Sequence, residues 1–396
     1  MFPASCPPAS FTSRAFGARA LLAGAFVVFM AGAALGQTPA AAPPEPPILV
    51  GQSGGFTGGQ AAYAADVRNG IEAAFAGANA AGGVNGRPIK LITTDDAGKR
   101  EQVLANTKKL VETDNVIALI GYTSGAGTEI TLPYVKEAKV PILSPATGNM
   151  GIRSEYNPWL FHTRAGYRDE MSKIVAHATG LGLKPRVGLV YLGDVGPANL
   201  KAMQDALAEH KLKAAAVVGL DRNATDFTPQ VNELMAANTD LVIFISNAPP
   251  IVKIVTGMRE RGYHGQFATS SFSGSRIIDD LKHNARGLIM IQVLPQPHRD
   301  ALAFHRDFHG DLKRLPEAVQ AKANYTVLEG YIAGRTLIEG LKRAGRDPTR
   351  EKLAAALTNM NEVDFSGYRI RYARGNHEGS RFVDLGVVTA EGRLKF

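Results

Sequence analysis

From Ile48 onward the chain alternates short apolar runs with amphipathic stretches. "ILVGQS" reads as a buried strand, because a short apolar run bounded by turn residues suits a sheet interior. The next segment, "AAYAADVRNGIEAAFAGANAAGG", sets Val67, Ile71, Ala74, Phe75 and Ala78 at helical spacing, and "GGVNG" stops that helix. Strand "RPIKLITTDD", a helix over 101–113, strand "VIALIG", helix "TEITLPYVKEA" and strand "VPILSPA" follow. This β-α-β alternation predicts a parallel sheet with helices on both faces.

The series restarts at "WLFHTR", with helices near 170–179, 197–208, 231–237 and 251–261. Between them lie strands "RVGLVYLG", "AAAVVGL", "DLVIFIS" and "GQFATSS", and "GLIMIQVL" ends the second series near Leu294. Three helices over 298–312, 318–343 and 350–359 then break the alternation. The end of the chain reads as short strands with turns at "RGNHEG" and "AEG". Two α/β units predict two lobes, with strand C-termini and their loops around a common cleft.

The first 47 residues stand apart. Arg14 and Arg19 precede the apolar run "ALLAGAFVVFMAGAA", and small residues follow at Ala34 and Gly36. A basic n-region, a short apolar core and a small-residue site predict a signal peptide over 1–36. "TPAAAPPEPP" then forms a proline-alanine tether, ending at residue 47. The single cysteine, Cys6, falls in the segment predicted to be removed. The rest would then hold no disulfide, thiolate metal site or thiol nucleophile, which fits an exported protein of a bacterial periplasm.

Composition adds little beyond this. The chain has 396 residues, 45% of them hydrophobic, and a net charge of +8. Without Arg14 and Arg19 it keeps 42 basic and 36 acidic residues, a net +6. The basic residues are scattered, with no block of Lys and Arg among aromatics, so no nucleic-acid partner is expected.

The stretch "LVGQSGGFTGG" carries the sharpest candidate chemistry. Gly51 to Gly55 matches the G-x-S-x-G nucleophile elbow, which would make Ser53 the nucleophile of a secreted hydrolase. An elbow needs a helix starting directly after the serine, however, and "GGFTGGQ" intervenes before the helical periodicity begins near 61–65. The glycines also fit neither G-x-G-x-x-G nor a P-loop, which needs Lys and Ser or Thr after Gly59. The remaining functional reading is a loop that lets backbone approach a ligand, with Tyr63 on the first helical turn facing the cleft.

Two further loops are polar. "GYTSGAGT" offers hydroxyls on Tyr122, Thr123, Ser124 and Thr128 beside the free N–H groups of a helix start, a site for a carboxylate or other anion. "SPATGN" supplies Ser144, Thr147, Asn149 and the Ala146 carbonyl at the next strand end. His305 and His309 are spaced i, i+4, but nothing nearby supplies a third ligand, so no metal is expected. Asp95-Asp96 is read as the cap of the following helix, and the stripe Tyr325, Leu328, Tyr331, Ile332, Leu337 as core.

Taken in order, "GGVNG", "TTDD", "VIALIG", "VPILSPATG", "HTRAGYRDE" and "LEGYIAGRTLIEGLKRAG" resemble type I periplasmic solute-binding proteins of the leucine/isoleucine/valine-binding group. The resemblance runs from Ile48 to about Phe396. It implies an α/β fold of two lobes, each a parallel sheet flanked by helices, joined by three hinge crossovers and closing over ligand. The lobes would comprise 48–164 plus 294–370 and 165–293 plus 371–396. It also implies a monomer that passes a small molecule to an ABC permease of the inner membrane, with no cofactor and no catalysis.

Carried over by residue, Ser124, Gly125 and Ala126 match the loop that receives a ligand carboxylate. Ala146, Thr147 and Gly148 match the loop that holds the ligand head group. Tyr63 falls where amino-acid binders often keep an aromatic residue, and Tyr167 near the hinge. In the second lobe the family holds the ligand ammonium with an acidic residue after the strand that is "QFATSS" here. This chain has Ser270, Ser271 and Phe272 there, and Asn247-Ala248-Pro249 where tyrosines are expected. A buried cation needs a paired charge. The expectation is therefore a carboxylate without an ammonium, aromatic or short aliphatic, with an amino acid or amide as the alternative. Glu170 and Asp194 are the acids that would restore the missing partner from elsewhere.

Overall fold

The computed structural model describes residues 45–221, 224–319 and 322–396. The expected signal segment (1–36) and the tether as far as residue 44 lie outside the described residues. The first α/β series forms β1 (Ile48–Gly54), α1 (Ala61–Ala80), β2 (Ile89–Asp95), α2 (Arg100–Glu112), β3 (Ala118–Ile120), α3 (Gly125–Glu137), β4 (Ile142–Leu143) and β5 (Leu160–Phe161). These strands make one parallel sheet in the order β2-β1-β3-β4-β5.

The second series contributes α4 (Tyr167–Ala178), β6 (Val187–Leu192), α5 (Pro197–Glu209), β7 (Ala214–Leu220) and α6 (Thr228–Ala236). It continues with β8 (Leu241–Ile245), α7 (Ala248–Glu260), β9 (Gln266–Thr269), α8 (Ile277–Leu281) and β10 (Ile289–Gln292). Proline near the start of α5, α6 and α7 supplies helical φ where no backbone donor is needed. β8 is buried along its whole length, as a central parallel strand covered on both faces requires. β7 alternates buried and open positions because it is the sheet's edge.

The remaining elements are α9 (Ala303–Leu312), α10 (Tyr325–Ala344), α11 (Arg350–Thr358), β11 (Asn361–Phe365), β12 (Tyr368–Tyr372), β13 (Asp384–Val388) and β14 (Leu394–Lys395). Helices α9 and α10 start later than their periodicity suggests. α10 begins only where the Asn324 side chain accepts the Val327 N–H at 2.9 Å. β13 and β14 extend the second sheet antiparallel, giving the order β14-β13-β10-β9-β8-β6-β7. That lobe is therefore mixed rather than wholly parallel.

The chain passes between the two sheets three times: after β5, after β10 and between β12 and β13. A boundary at 370/371 would cut β12. The His162 N–H donates to the His377 carbonyl at 2.9 Å, and the Gly379 N–H to the His162 carbonyl at 2.8 Å. These bonds keep 371–379 with the first lobe and move the third crossing to 380–383.

α1 and α10 pack at backbone distance. A Cβ at Gly70 would lie 1.9 Å from the Val327 carbonyl oxygen, and one at Gly330 2.0 Å from that of Val67. Only glycine allows this approach, which brings the first turns of both helices to the cleft side of the first lobe.

Candidate functional site

The loops after β1, β3 and β4 lie together at the strand C-termini of the first lobe. Ser124 is the N-cap of α3, and its Oγ accepts the Gly127 N–H at 3.0 Å. The N–H groups of Gly125 and Ala126 are among the first donors of that helix, which have no partner in their own turn. The cap thus occupies the Ser124 hydroxyl and leaves backbone donors for an anion. Thr128 Oγ1 donates to the Ser124 carbonyl and Thr123 Oγ1 accepts the Gly55 N–H, at 2.7 and 3.1 Å. Tyr122, expected to offer its hydroxyl to the cleft, instead meets Thr107 on α2 at 3.0 Å; its aromatic ring is simply core.

A Cβ at Gly125 would stand 2.9 Å from Asn149 Cβ and 3.0 Å from Thr147 Oγ1, so the two polar loops touch. Thr147 Oγ1 accepts the Asn149 N–H at 3.2 Å and lies 3.4 Å from the Tyr167 hydroxyl. Gly148 serves Tyr167: its carbonyl accepts the Tyr167 N–H at 2.8 Å, and a Cβ would come within 2.5 Å of the ring. Burial pushes the Tyr167 hydroxyl up to about 12, so it stays a neutral donor. The Ala146 carbonyl, expected to take a ligand group, accepts the Tyr63 hydroxyl at 2.8 Å. Tyr63 in turn meets Phe272 edge to face, with ring centroids 5.5 Å apart, so the two lobes touch there.

Ser271 lies where the family resemblance expects an acid, and an acid does reach it. Glu170, at the start of α4, accepts the Ser271 N–H at 2.8 Å and the Ser271 hydroxyl at 3.0 Å. Glu170 is also paired with Arg164, which reaches Glu329 on α10 at 3.2 Å and the Ser271 hydroxyl. Arg164 and Glu170 are both fully buried. Burial raises the Glu170 carboxyl above its usual range, against the opposing pull of Arg164. The cluster holds one cation and two carboxylates, drawn from the first crossover and from both lobes.

Asn247 Nδ2 donates across the cleft to the Gly59 carbonyl at 3.4 Å. Asn199 on α5 accepts the Met150 N–H at 2.8 Å, while its fully buried Nδ2 has no side-chain or backbone acceptor among the described residues. Arg164, Glu329 and Asn199 carry no local mark of a site in the sequence. "HTRAGYRDE" marks Arg164 and Glu170 as neighbours, but Glu329 is 165 residues from Arg164 and Asn199 49 from Met150. No local spacing signals such pairs.

Ser53 is fully buried, donates to Asp96 Oδ2 at 2.9 Å and accepts from Asn106 at 3.1 Å. That is a bracing role between β1 and α2. Asp95 and Asp96 close their own loop, accepting the Ala97 and Gly98 N–H groups at 2.9 Å, and α2 starts beyond them at Arg100. His309 turns to the Pro297 carbonyl at 3.1 Å, whereas His305 is buried. The two histidines do not converge.

A cavity of about 300 Å³ opens at the cleft mouth, between Gly59, Tyr63 and Asp66 of the first lobe and Asn247, Phe272 and Arg276 of the second. A larger one of about 490 Å³ lies at the opposite, N-terminal strand ends, around Ile48, Asn115 and Arg350. It is remote from every loop described above.

Two sheets, three crossings and polar loops facing one cleft define a binding protein of the two-lobed periplasmic type. Residues 47–393 match the family model described as periplasmic binding protein, and the chain belongs to that family. It is 27% identical over 243 residues to an amino acid binding protein of Pseudomonas aeruginosa, covering 61% of this chain and 64% of the relative. The match thus spans a little under two thirds of that relative's length. A leucine-, isoleucine-, valine-, threonine- and alanine-binding protein of the same organism is 25% identical over 318 residues, 78% of this chain and 82% of its own. Among solved structures, a substrate-binding periplasmic protein from Ralstonia solanacearum superimposes with a TM-score of 0.80 at 28% identity, over 88% of this chain and 99% of that one.

Proposed function

We propose that this chain is a periplasmic receptor that captures a small organic anion between its lobes and delivers it to an ABC importer of the inner membrane. It works as a monomer and catalyses nothing. The ligand carboxylate sits at the start of α3, against the Gly125 and Ala126 N–H groups, with Ser124 holding the turn. Thr147, Tyr167, Asn247, Ser271 and Phe272 surround the rest of the ligand, and Tyr63 with Ala146 and Gly148 shape the wall. The observation that carries the reading is Glu170. It is the acid that reaches the loop after β9, and it is already engaged by Arg164 and by both polar groups of Ser271. A ligand ammonium would have to compete with an arginine for it.

A second reading, an amino-acid receptor, is favoured by the charge of the same cluster. Arg164, Glu170 and Glu329 together lack one positive charge, which an ammonium would supply. The names of the relatives point the same way.

A thermal-shift screen of residues 37–396 separates the two. Ligand at 100 times its Kd stabilises the protein by about 2.7 kcal/mol, a visible rise in Tm. Stabilisation by carboxylates without an amino group, such as benzoate or a short aliphatic acid, is the expected result. Stabilisation by leucine or another α-amino acid alone overturns the anion reading and assigns the ammonium to the Glu170 cluster.

A further inference from the structure

Across the cleft mouth runs one ion pair that the ligand reading does not use. Asp66, on the second turn of α1, has a side chain only 3% exposed, whereas Arg276, just before α8 in the second lobe, is 55% exposed. Arg276 donates to both Asp66 oxygens, from Nη2 at 2.7 Å and Nε at 3.2 Å. This is the two-pronged geometry in which arginine binds carboxylate most strongly. Asn324, from the first lobe, donates its Nδ2 to Asp66 at 2.9 Å while its Oδ1 caps α10. The amide is thus fixed from both ends, and it aims the carboxylate across the cleft whatever the second lobe does.

The surroundings are built for this approach. Gly274 has φ +73, and a Cβ there would lie 3.1 Å from the Tyr63 ring. A Cβ at Gly59 would lie 3.3 Å from Asn247 Nδ2. All these groups border the mouth cavity.

We infer that Asp66 and Arg276 are positioning residues that hold the lobes together by direct pairing across the mouth, so that a closed population exists before any ligand bridges the cleft. Opening strips Arg276 from Asp66 but leaves Asn324 in place. The carboxylate then exchanges one charged partner for water, while Arg276, already half in solvent, gains little. The opening equilibrium is therefore set by this pair as well as by ligand. A receptor with such a latch needs less from its ligand to close, and releases it more slowly.

The test needs no ligand, so its outcome is independent of the ligand class proposed above. In residues 37–396, which contain no cysteine of their own, spin labels on Glu101→Cys and Gln204→Cys place one exposed reporter on each lobe. Double electron–electron resonance then gives the distribution of lobe separations. The expected result is a short-distance population whose ratio to the long one falls about fivefold in Arg276→Gln, the upper end for an ion pair with one partner in solvent. Asp66→Asn alone, and both changes together, should give the same fall, because one contact is lost in each case. Arg276 is half exposed, so Arg276→Gln keeps the fold even if Asp66→Asn does not, and unchanged unfolding by urea confirms it. An unsubstituted chain with only the long distance, or an Arg276→Gln distribution identical to it, overturns the inference. So does a double variant whose fold-change is the product of the two single ones.

Discussion

Replacing Arg164 by methionine removes the cation from a buried cluster. Glu170 keeps its bonds to Ser271, at 2.8 and 3.0 Å, but loses its ion pair, and Glu329 loses its contact at 3.2 Å. Breaking a buried pair by removing one partner costs about 3–5 kcal/mol, because the charge left behind is uncompensated. Methionine restores most of the volume, so cavity formation adds little. Arg164→Met should therefore lower the unfolding free energy in urea by that amount at pH 7.

The sign of the pH dependence follows from Glu170. Its carboxyl is already raised by burial, and without Arg164 it rises further. A group raised in the folded state contributes stability below its unfolded pKa and loses it as pH rises through the folded one. The deficit of Arg164→Met should thus be largest near neutral pH and shrink toward pH 4.5. Adding Glu170→Gln removes one stranded charge and should recover at least half of the loss. A single variant that loses under about 1 kcal/mol at pH 7, below the range for a buried pair, would refute the assignment of these groups as a charged, buried cluster.

Two further outcomes are expected. Gly148→Ala drives a methyl to 2.5 Å from the Tyr167 ring, so overpacking should lower stability by about 1–3 kcal/mol and displace Tyr167. The most effective compound of the thermal-shift screen should then shift the Tm less; an undiminished shift would show that Tyr167 has no part in binding. His377 is stacked on Phe161 and held down by burial to about 4, so it folds neutral and must take up a proton on unfolding in acid. Its contribution is present above about pH 6.5 and disappears as pH falls toward 4. His377→Gln should flatten urea midpoints over that interval, and an unchanged slope would mean that other groups govern acid unfolding.

Much of this molecule is written in local patterns. Each parallel strand and each covering helix declares itself by apolar period, and the order of the loops follows, because sequence-adjacent βα units stack in one direction. Ser124 at a helix start and Asn247 at a strand end are legible for the same reason: a turn residue reports its own backbone. What stays hidden is pairing at a distance. Nothing around Glu329 distinguishes it from Glu339, the half-buried acid later on α10, and Tyr122 looks like a cleft hydroxyl until its ring is seen to pack under α2. The antiparallel attachment of β13 to β10 is likewise a matter of where the last crossing returns, which periodicity does not encode.

The close approach of α1 and α10 also restricts how this receptor can diversify. With carbonyl oxygens about 2 Å from where a methyl would sit at Gly70 and Gly330, neither helix can slide or tilt without its partner. Tyr63, Asp66 and Glu329, all near the helix starts, are therefore carried on a single stiff strut. Changes in ligand preference on this side of the cleft must come from exchanging those side chains one at a time. The second lobe presents Asn247, Ser271 and Phe272 from loops with no such brace, so new specificities have more room to arise there.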